Sequence, residues 1–409
     1  MNTRTKRIAY LCFDFGVPMF GTKGAAVHVH ETVQSLRRLG HDVMVYSPVS
    51  AEMGSYCEGY TALPVDGFAA RVLDNLAQEP VASSSHLPKE WRSLLYAEHI
   101  QKSLHSRLVD FGVDFIYERY SLFGYAGIEL ARSLGVPILL EVNSPLSLEQ
   151  ARYRDLVLTR TAAELERLIL TSADAVIVVS DDLAGWVRQL GVPSGRIEVL
   201  PNGVNPEVMD PSVGRDKVRL RYSLTGRRVV GFVGSLNPWH DLDTLLNAVA
   251  ELHEKDERYH LLLVGDGPGM KQLRARGDPY VTWTGAVPYD EVPSYVAATD
   301  VVTVPLGGRA DCYFSPLKLY EAMAMAKPVI GARVGEVEAA IADRETGLLY
   351  EPGDALDLAG RIEEVFQMPD GGAGLGASAL RWVLANRTWD RNAQRITEIA
   401  SSLLAKPAA

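Results

Sequence analysis

Short, nearly continuous apolar runs alternate along this chain with stretches in which apolar positions recur every three or four residues. The first pattern predicts strands buried on both faces, and the second predicts amphipathic helices. Strands are expected at 7–13, 42–47, 114–118, 137–142, 175–179 and 197–200, with helical stretches such as "VHVHETVQSLRRLG" between most of them. The alternation lapses over 206–227, which is polar and contains Pro211, then restarts with "RRVVGFVGS", "YHLLLVGDGPG", "YVTWTG", "DVVTVP" and "KPVIGA". Such β-α alternation implies parallel sheets covered by helices on both faces. The predicted fold class is therefore α/β: two Rossmann-like, doubly wound parallel-sheet halves facing a cleft, with the boundary near residue 205.

Length agrees, since 409 residues exceed what one ordinary core organises. One stretch, "EPVASSSHLPKEW" at 79–91, is rich in Ser and Pro and reads as a loop at the cleft or as a surface insertion. The opening "MNTRTKRIAYLCFDFG" has a basic stretch before apolar residues, as a signal peptide does. Its apolar run is short, Asp14 interrupts it and no small-residue cleavage site follows, so a first buried strand is the better reading. No apolar run is long enough for a membrane span.

Composition is that of a globular protein, 47% hydrophobic and 22% charged, with a formal charge of −10. Neither half is basic, which argues against nucleic acid as the main partner; peripheral contact with a membrane is left open. Cys12, Cys57 and Cys312 lie far apart without metal-ligand or disulfide spacing, as expected of buried thiols in a reducing cytoplasm. His28 and His30 point apart on a helix, which disfavours a shared metal.

The stretch "FSPLKLYEAMAMAKPVIG", 314–331, looks built to receive an anion. Ser315 is a good N-cap, Pro316 suits the first helical position and an amphipathic run ends before Lys327-Pro328. A helix start offers unpaired N–H groups and partial positive charge to a phosphate. From Pro316 to Glu321 the rise is about 7.5 Å, so a diphosphate at the helix start would set an attached ribose beside Glu321. The bland alternative is that Glu321 is a solvated helix residue.

That stretch, continued through "ARVGEVEAAIADRETGLLYEPGD", resembles the donor-nucleotide segment of family 4 glycosyltransferases, retaining enzymes of the GT-B fold. "ADAVIVVSDDLAGWVRQLGVPSGRIEVLPNGVN", "GFVGSLNPWHDLDTLLNAVA", "LLLVGDGPGMKQL" and "VTWTGAVPYDEVPSYVAATDVVTVP" resemble other family segments in the same order. The resemblance implies an acceptor-binding domain at 1–205, a nucleotide-sugar domain at 206–385 and a final segment, 386–409, returning to the first domain. It implies transfer of a sugar from a nucleoside-diphosphate donor to an acceptor hydroxyl with retention, in the cytoplasm, without metal or other cofactor.

Two departures stand out. The family pairs two glutamates with seven residues between them; Glu321 matches the second, but Tyr313 stands in place of the first, so that either Tyr313 or Asp311 approaches the donor sugar or the sugar is held differently. The family's Arg and Lys on the diphosphate are replaced by Ser235 and His240 in "VGSLNPWHD". The charge of the leaving group then falls to backbone around Phe314, Ser315, Pro316 and Leu317, to the helix dipole, and to His240, Lys318 or Arg309. Lys318 equally suits a solvated helix face, and Trp239 is expected to pack.

Further donor contacts are expected at Gly24 in "FGTKGAAVHVHE", at Gly234, and at Ala286 and Val287 in "TGAVP", which the resemblance places on the nucleobase. Lys23, Glu118, Arg119 and Glu141 are candidates for the acceptor side, with a structural Glu–Arg pair as the rival reading. Arg119, Asn143, Tyr313 and His240 are the candidate catalytic groups; many relatives carry histidine where Arg119 and Asn143 stand. "GDGPG" at 265–269 has the wrong spacing for a nicotinamide fingerprint. The alternatives are a sugar-nucleotide epimerase on this fold and an inactive nucleotide-sugar-binding protein.

Overall fold

The computed structural model describes residues 4–17, 21, 24–48, 59–79, 86–308 and 313–405. Lys23, Cys57, Arg309, Asp311 and Cys312 lie outside them, as does part of the 79–91 stretch. The chain divides into two compact units: 1–20, 29–201 and 392–409 form the first, 21–28 and 202–391 the second.

In the first unit, β1 (Arg7–Cys12), β2 (Asp42–Ser47), β3 (Tyr60–Ala62), β4 (Phe115–Arg119), β5 (Ile138–Val142), β6 (Ala175–Val178) and β7 (Ile197–Val199) form one sheet in the order β3-β2-β1-β4-β5-β6-β7. Every pairing is parallel. The second unit contains β8 (Arg228–Val233), β9 (Tyr259–Val264), β10 (Val281–Gly285), β11 (Val301–Val304), β12 (Val329–Ala332) and β13 (Leu348–Tyr350), in the order β10-β9-β8-β11-β12-β13. These pairings are parallel too.

Central strands β1, β4, β5, β6, β8, β9, β11 and β12 are buried almost throughout. Fully burying a Val, Leu or Ile stabilises by about 1.5–3 kcal/mol, more than strand propensities differ, so these strands lie where the apolar runs do. Strand order reverses between β1 and β4 in one sheet and between β8 and β11 in the other. Ligands of such sheets bind beyond the carboxyl ends of strands at these reversal points.

Distant segments brace the first unit. Glu90, in the first turn of the Leu87–Phe111 helix, accepts the backbone N–H groups of Val157 and Leu158 at 2.8 Å each, satisfying donors where the Thr159–Ser172 helix begins. The Trp389–Leu404 helix supplies the first unit with a His41 Nε2–Thr397 Oγ1 contact at 3.0 Å and an Arg395–Glu198 ion pair at 2.6 Å. Asn392 Nδ2 donates to the Pro201 carbonyl at 2.8 Å. Among the described residues, no helix is long and apolar enough to cross a membrane.

Candidate functional site

Two groups of polar side chains lie at the two strand-order reversals. In the second unit, β8 is followed by Gly234, whose φ of 145° suits glycine. Lys318, second residue of the Leu317–Ala324 helix, runs beneath it: a Cβ on Gly234 would stand 2.8 Å from both Lys318 Cε and Nζ. The Lys318 nitrogen lies 4.2 Å over the Phe232 ring and 3.1 and 3.3 Å from the two ring nitrogens of His240. Burial pushes Lys318 down to about 7, partly opposed by Glu321 in the next turn. Burial, then the charge of Lys318, pushes His240 down to about 2, so its imidazole is neutral and accepts from the lysine. Lys318 is thus packed between three groups and not a freely solvated helix charge.

Ser315 departs from its expected part. The helix begins at Leu317 with Pro316 at the cap position, and no side chain caps it. The Ser315 hydroxyl instead accepts the Asn202 backbone N–H at 3.0 Å and donates to the Tyr320 hydroxyl at 3.3 Å. Asn202 Nδ2 donates to the Ser315 carbonyl at 2.7 Å, and His28 Nδ1 donates to Asn202 Oδ1 at 2.7 Å. Tyr320 continues the chain to Glu336 at 2.8 Å. The loop before the helix is thereby held from behind, and its first N–H groups are left without a side-chain cap.

Around this anchor, Phe314 meets His240 edge-on at 6.2 Å, Tyr313 meets Phe314 at 6.3 Å, and Trp239 meets His240 at 5.9 Å. Gly24 opens the Gly24–Arg38 helix, and a Cβ there would sit 3.4 Å from Leu317 Cδ1. Glu321 is half-buried. Ser235 is exposed and accepts Asn237 Nδ2 at 2.8 Å. After β10, Ala286 is exposed and Val287 packs on the core.

In the first unit, the polar group beside the β1/β4 reversal centres on Glu141 of β5, whose register partner on β4 is Arg119. Its Oε1 accepts from Arg119 Nη1 at 3.0 Å and from Asn143 Nδ2 at 2.6 Å, and its Oε2 accepts the Tyr117 hydroxyl at 2.5 Å. Burial opposes the Arg119 charge, but Glu141 and its neighbours outweigh this and hold the guanidinium above its usual range. Burial, reinforced by Glu141, drives the Tyr117 phenol well upward. Tyr10, 5.3 Å from Tyr117 ring to ring, is fully buried with no partner for its hydroxyl among the described residues.

Glu118 does not join this group. Alternate strand residues face opposite ways, so Tyr117 and Arg119 turn toward Glu141 and Glu118 turns to the other face. It is 0% exposed, and neither carboxyl oxygen has a hydrogen-bond partner among the described residues. Its Oε2 fills the space a Cβ would take on Gly127, and burial pushes its carboxyl up to about 8. The acceptor-side reading of Glu118 is therefore corrected; the Glu–Arg pair present is Glu141–Arg119.

The sequence reading missed Asn202, Phe232, Tyr320 and Tyr117. Asn202 had a signal, a polar residue between Pro201 and Gly203 in the quoted "PNGVN", but its partner lies 113 residues away. Among the described residues, no group of three or more His, Cys, Asp or Glu side chains could hold a metal ion.

A family model described as "Glycosyl transferases group 1" matches residues 227–368, and one described as "Glycosyltransferase Family 4" matches residues 22–208. The chain is 30% identical over 281 residues to a 2-deoxystreptamine glucosyltransferase of Streptomyces kanamyceticus, covering 64% of this chain and 68% of that protein. It is 24% identical over 396 residues to a D-inositol 3-phosphate glycosyltransferase of Corynebacterium diphtheriae, covering 92% and 89%. A GDP-mannose-dependent alpha-(1-6)-phosphatidylinositol monomannoside mannosyltransferase of Mycobacterium tuberculosis is 28% identical over 246 residues, covering 58% of this chain. The chain spans 64% of that mannosyltransferase's length. Among solved structures, Anabaena Alr3699/HepE in complex with UDP-glucose superposes with a TM-score of 0.69 at 19% identity, covering 97% and 100% of the two chains. A sucrose-phosphate synthase from Thermosynechococcus elongatus gives 0.73 at 22%, covering 98% and 99%. At these identities the likeness is one of fold.

Proposed function

The chain belongs to the family 4, group 1 glycosyltransferases, and from that premise we propose that it moves a hexosyl group from a nucleoside-diphosphate sugar to an acceptor hydroxyl, with retention and without a metal ion. The observation that carries the reading is Lys318, held beneath Gly234 and against His240, one residue into a helix whose first N–H groups have no side-chain cap. Charge and uncapped helix N–H groups converge there, at a strand-order reversal, where a diphosphate needs them. Lys318 and the helix start would take the place of the Arg and Lys that the family uses. Glu321, one turn further in, would accept the ribose hydroxyls.

In the proposed reaction the bond from the anomeric carbon to the β-phosphate oxygen breaks first, and its electron pair stays on the diphosphate. Lys318 and the helix N–H groups stabilise that charge as it grows. The acceptor oxygen bonds to the anomeric carbon on the face the diphosphate has just left. Its proton passes to the departing phosphate oxygen, so no protein nucleophile forms a covalent intermediate. Arg119, Asn143 and Glu141 would orient the acceptor, with Glu141 fixing the other two and not touching substrate itself.

The test is a thermal-shift panel of UDP, GDP, ADP, dTDP and CDP and their common sugar conjugates, followed by mass spectrometry for donor hydrolysis. One nucleotide should raise the melting temperature, and its conjugate should be slowly hydrolysed. No shift from any member overturns the reading.

A further inference from the structure

A hydrogen bond between two nitrogen bases needs one donor and one acceptor. At 3.1 and 3.3 Å, the Lys318 nitrogen and the His240 ring satisfy this only when the pair holds at most one positive charge. The Phe232 ring face and Glu321 support that charge, and burial opposes it. Lys318 is flanked by the Phe232 ring and the Gly234 backbone from the β8 end, and His240 by Trp239 and Phe314. Glu321 on the same helix is the charged group acting on Lys318, and Asp241, next to His240, acts on Tyr350. Near neutrality Lys318 is poised to lose its proton, since burial holds it down to about 7.

We propose that the Lys318–His240 pair is a proton-uptake site: the donor diphosphate binds together with one proton, which the pair gives up again when the nucleotide leaves. The inference rests on the donor site proposed above. An arriving phosphate oxygen replaces the imidazole as acceptor from Lys318, and two adjacent negative charges favour the ammonium form. The proton comes from solvent and returns to it, so no bond is made or broken in the protein. The consequence is that donor affinity weakens as pH rises, although the diphosphate diester of a sugar nucleotide carries no proton of its own to lose in this range.

Isothermal titration calorimetry of the full chain tests this with UDP-glucose and GDP-mannose as probes. Each is titrated in phosphate and in Tris at about pH 6 and about pH 8. The buffer-dependent heat should report close to one proton taken up per ligand bound at the higher pH and close to none at the lower. The dissociation constant should rise about tenfold per pH unit above neutrality, the slope of a single linked proton. Lys318→Arg, permanently charged, should bind without uptake, and Lys318→Met should bind weakly without uptake. Saturable binding with buffer-independent heat at about pH 8 overturns the inference and leaves the donor site standing. Uptake that survives in Lys318→Met overturns its assignment to this pair. If neither probe nor any other sugar nucleotide of the panel binds at either pH, both the inference and the donor site fail.

Discussion

Asn202 grips Ser315 twice, donating its backbone N–H to the serine hydroxyl at 3.0 Å and its side-chain amide to the serine carbonyl at 2.7 Å. Both residues are buried, and the Asn202 amide oxygen is taken by His28. Asn202→Ala should therefore leave a buried carbonyl without its donor, a cost of about 1–3 kcal/mol. The 313–316 loop should loosen with it. The expected result is a lower melting temperature with a clear rise in nucleotide dissociation constant, while hydrolysis of saturating donor falls less. An unchanged dissociation constant in the folded variant would show that the clamp serves the fold alone.

The same contact shows what a one-dimensional reading reaches. Strands expected at 42–47, 137–142 and 175–179 lie within a residue of those observed, because buried parallel strands leave unbroken apolar runs. β3 escaped notice because Tyr60–Ala62 is three half-buried residues with no such run. Ser-Pro before an amphipathic run is a sound helix-start signal, yet a partner 113 residues away took the hydroxyl. Lys318 was open to a solvated reading for the same reason, since Phe232 and His240 are remote in sequence. Glu118 and Arg119 share the carboxyl end of a strand, where ligands of such sheets bind, but as neighbours in a strand they face opposite ways.

Glu321 is the residue through which the donor reading is most easily broken. It is half-buried in the second turn of its helix, and its charge supports the ammonium of Lys318. Glu321→Ala should weaken nucleotide binding at least tenfold, about 1.4 kcal/mol or more, with less than that lost from stability. Calorimetric titration alongside thermal unfolding separates the two. Wild-type affinity in a folded variant would remove Glu321 from the site.

Arg119 and Glu141 should act on transfer and leave the donor alone. Their nitrogen–oxygen distance is 3.0 Å with side chains 11% and 3% exposed, so cutting the pair strands a buried charge and costs about 3–5 kcal/mol. Glu141→Gln should lower the melting temperature and nearly abolish transfer to acceptor while nucleotide affinity holds. Arg119→Met, which removes the guanidinium and leaves Glu141 bonded to Tyr117 and Asn143, should lose transfer too. Transfer at the wild-type rate by Arg119→Met would place the acceptor elsewhere.

Glu118 predicts how stability varies with pH. Its carboxyl is raised to about 8 in the folded chain by burial, against an ordinary value near 4.5 when unfolded. Between these values the folded state keeps a proton that the unfolded state has lost, so stability must fall as pH rises. The slope is about 1.4 kcal/mol per pH unit at most, and the accumulated loss by the upper end is on the order of a few kcal/mol. Below the unfolded value both states are protonated, and the full contribution is present. Glu118→Gln keeps the shape beside Gly127 and cannot ionise, so it should flatten this part of the profile and exceed wild type at about pH 8 while matching it at about pH 5. Urea unfolding of both proteins at several pH values measures the difference directly. Parallel profiles would mean that the carboxyl reaches water in the folded state and ionises there as it does in the unfolded chain.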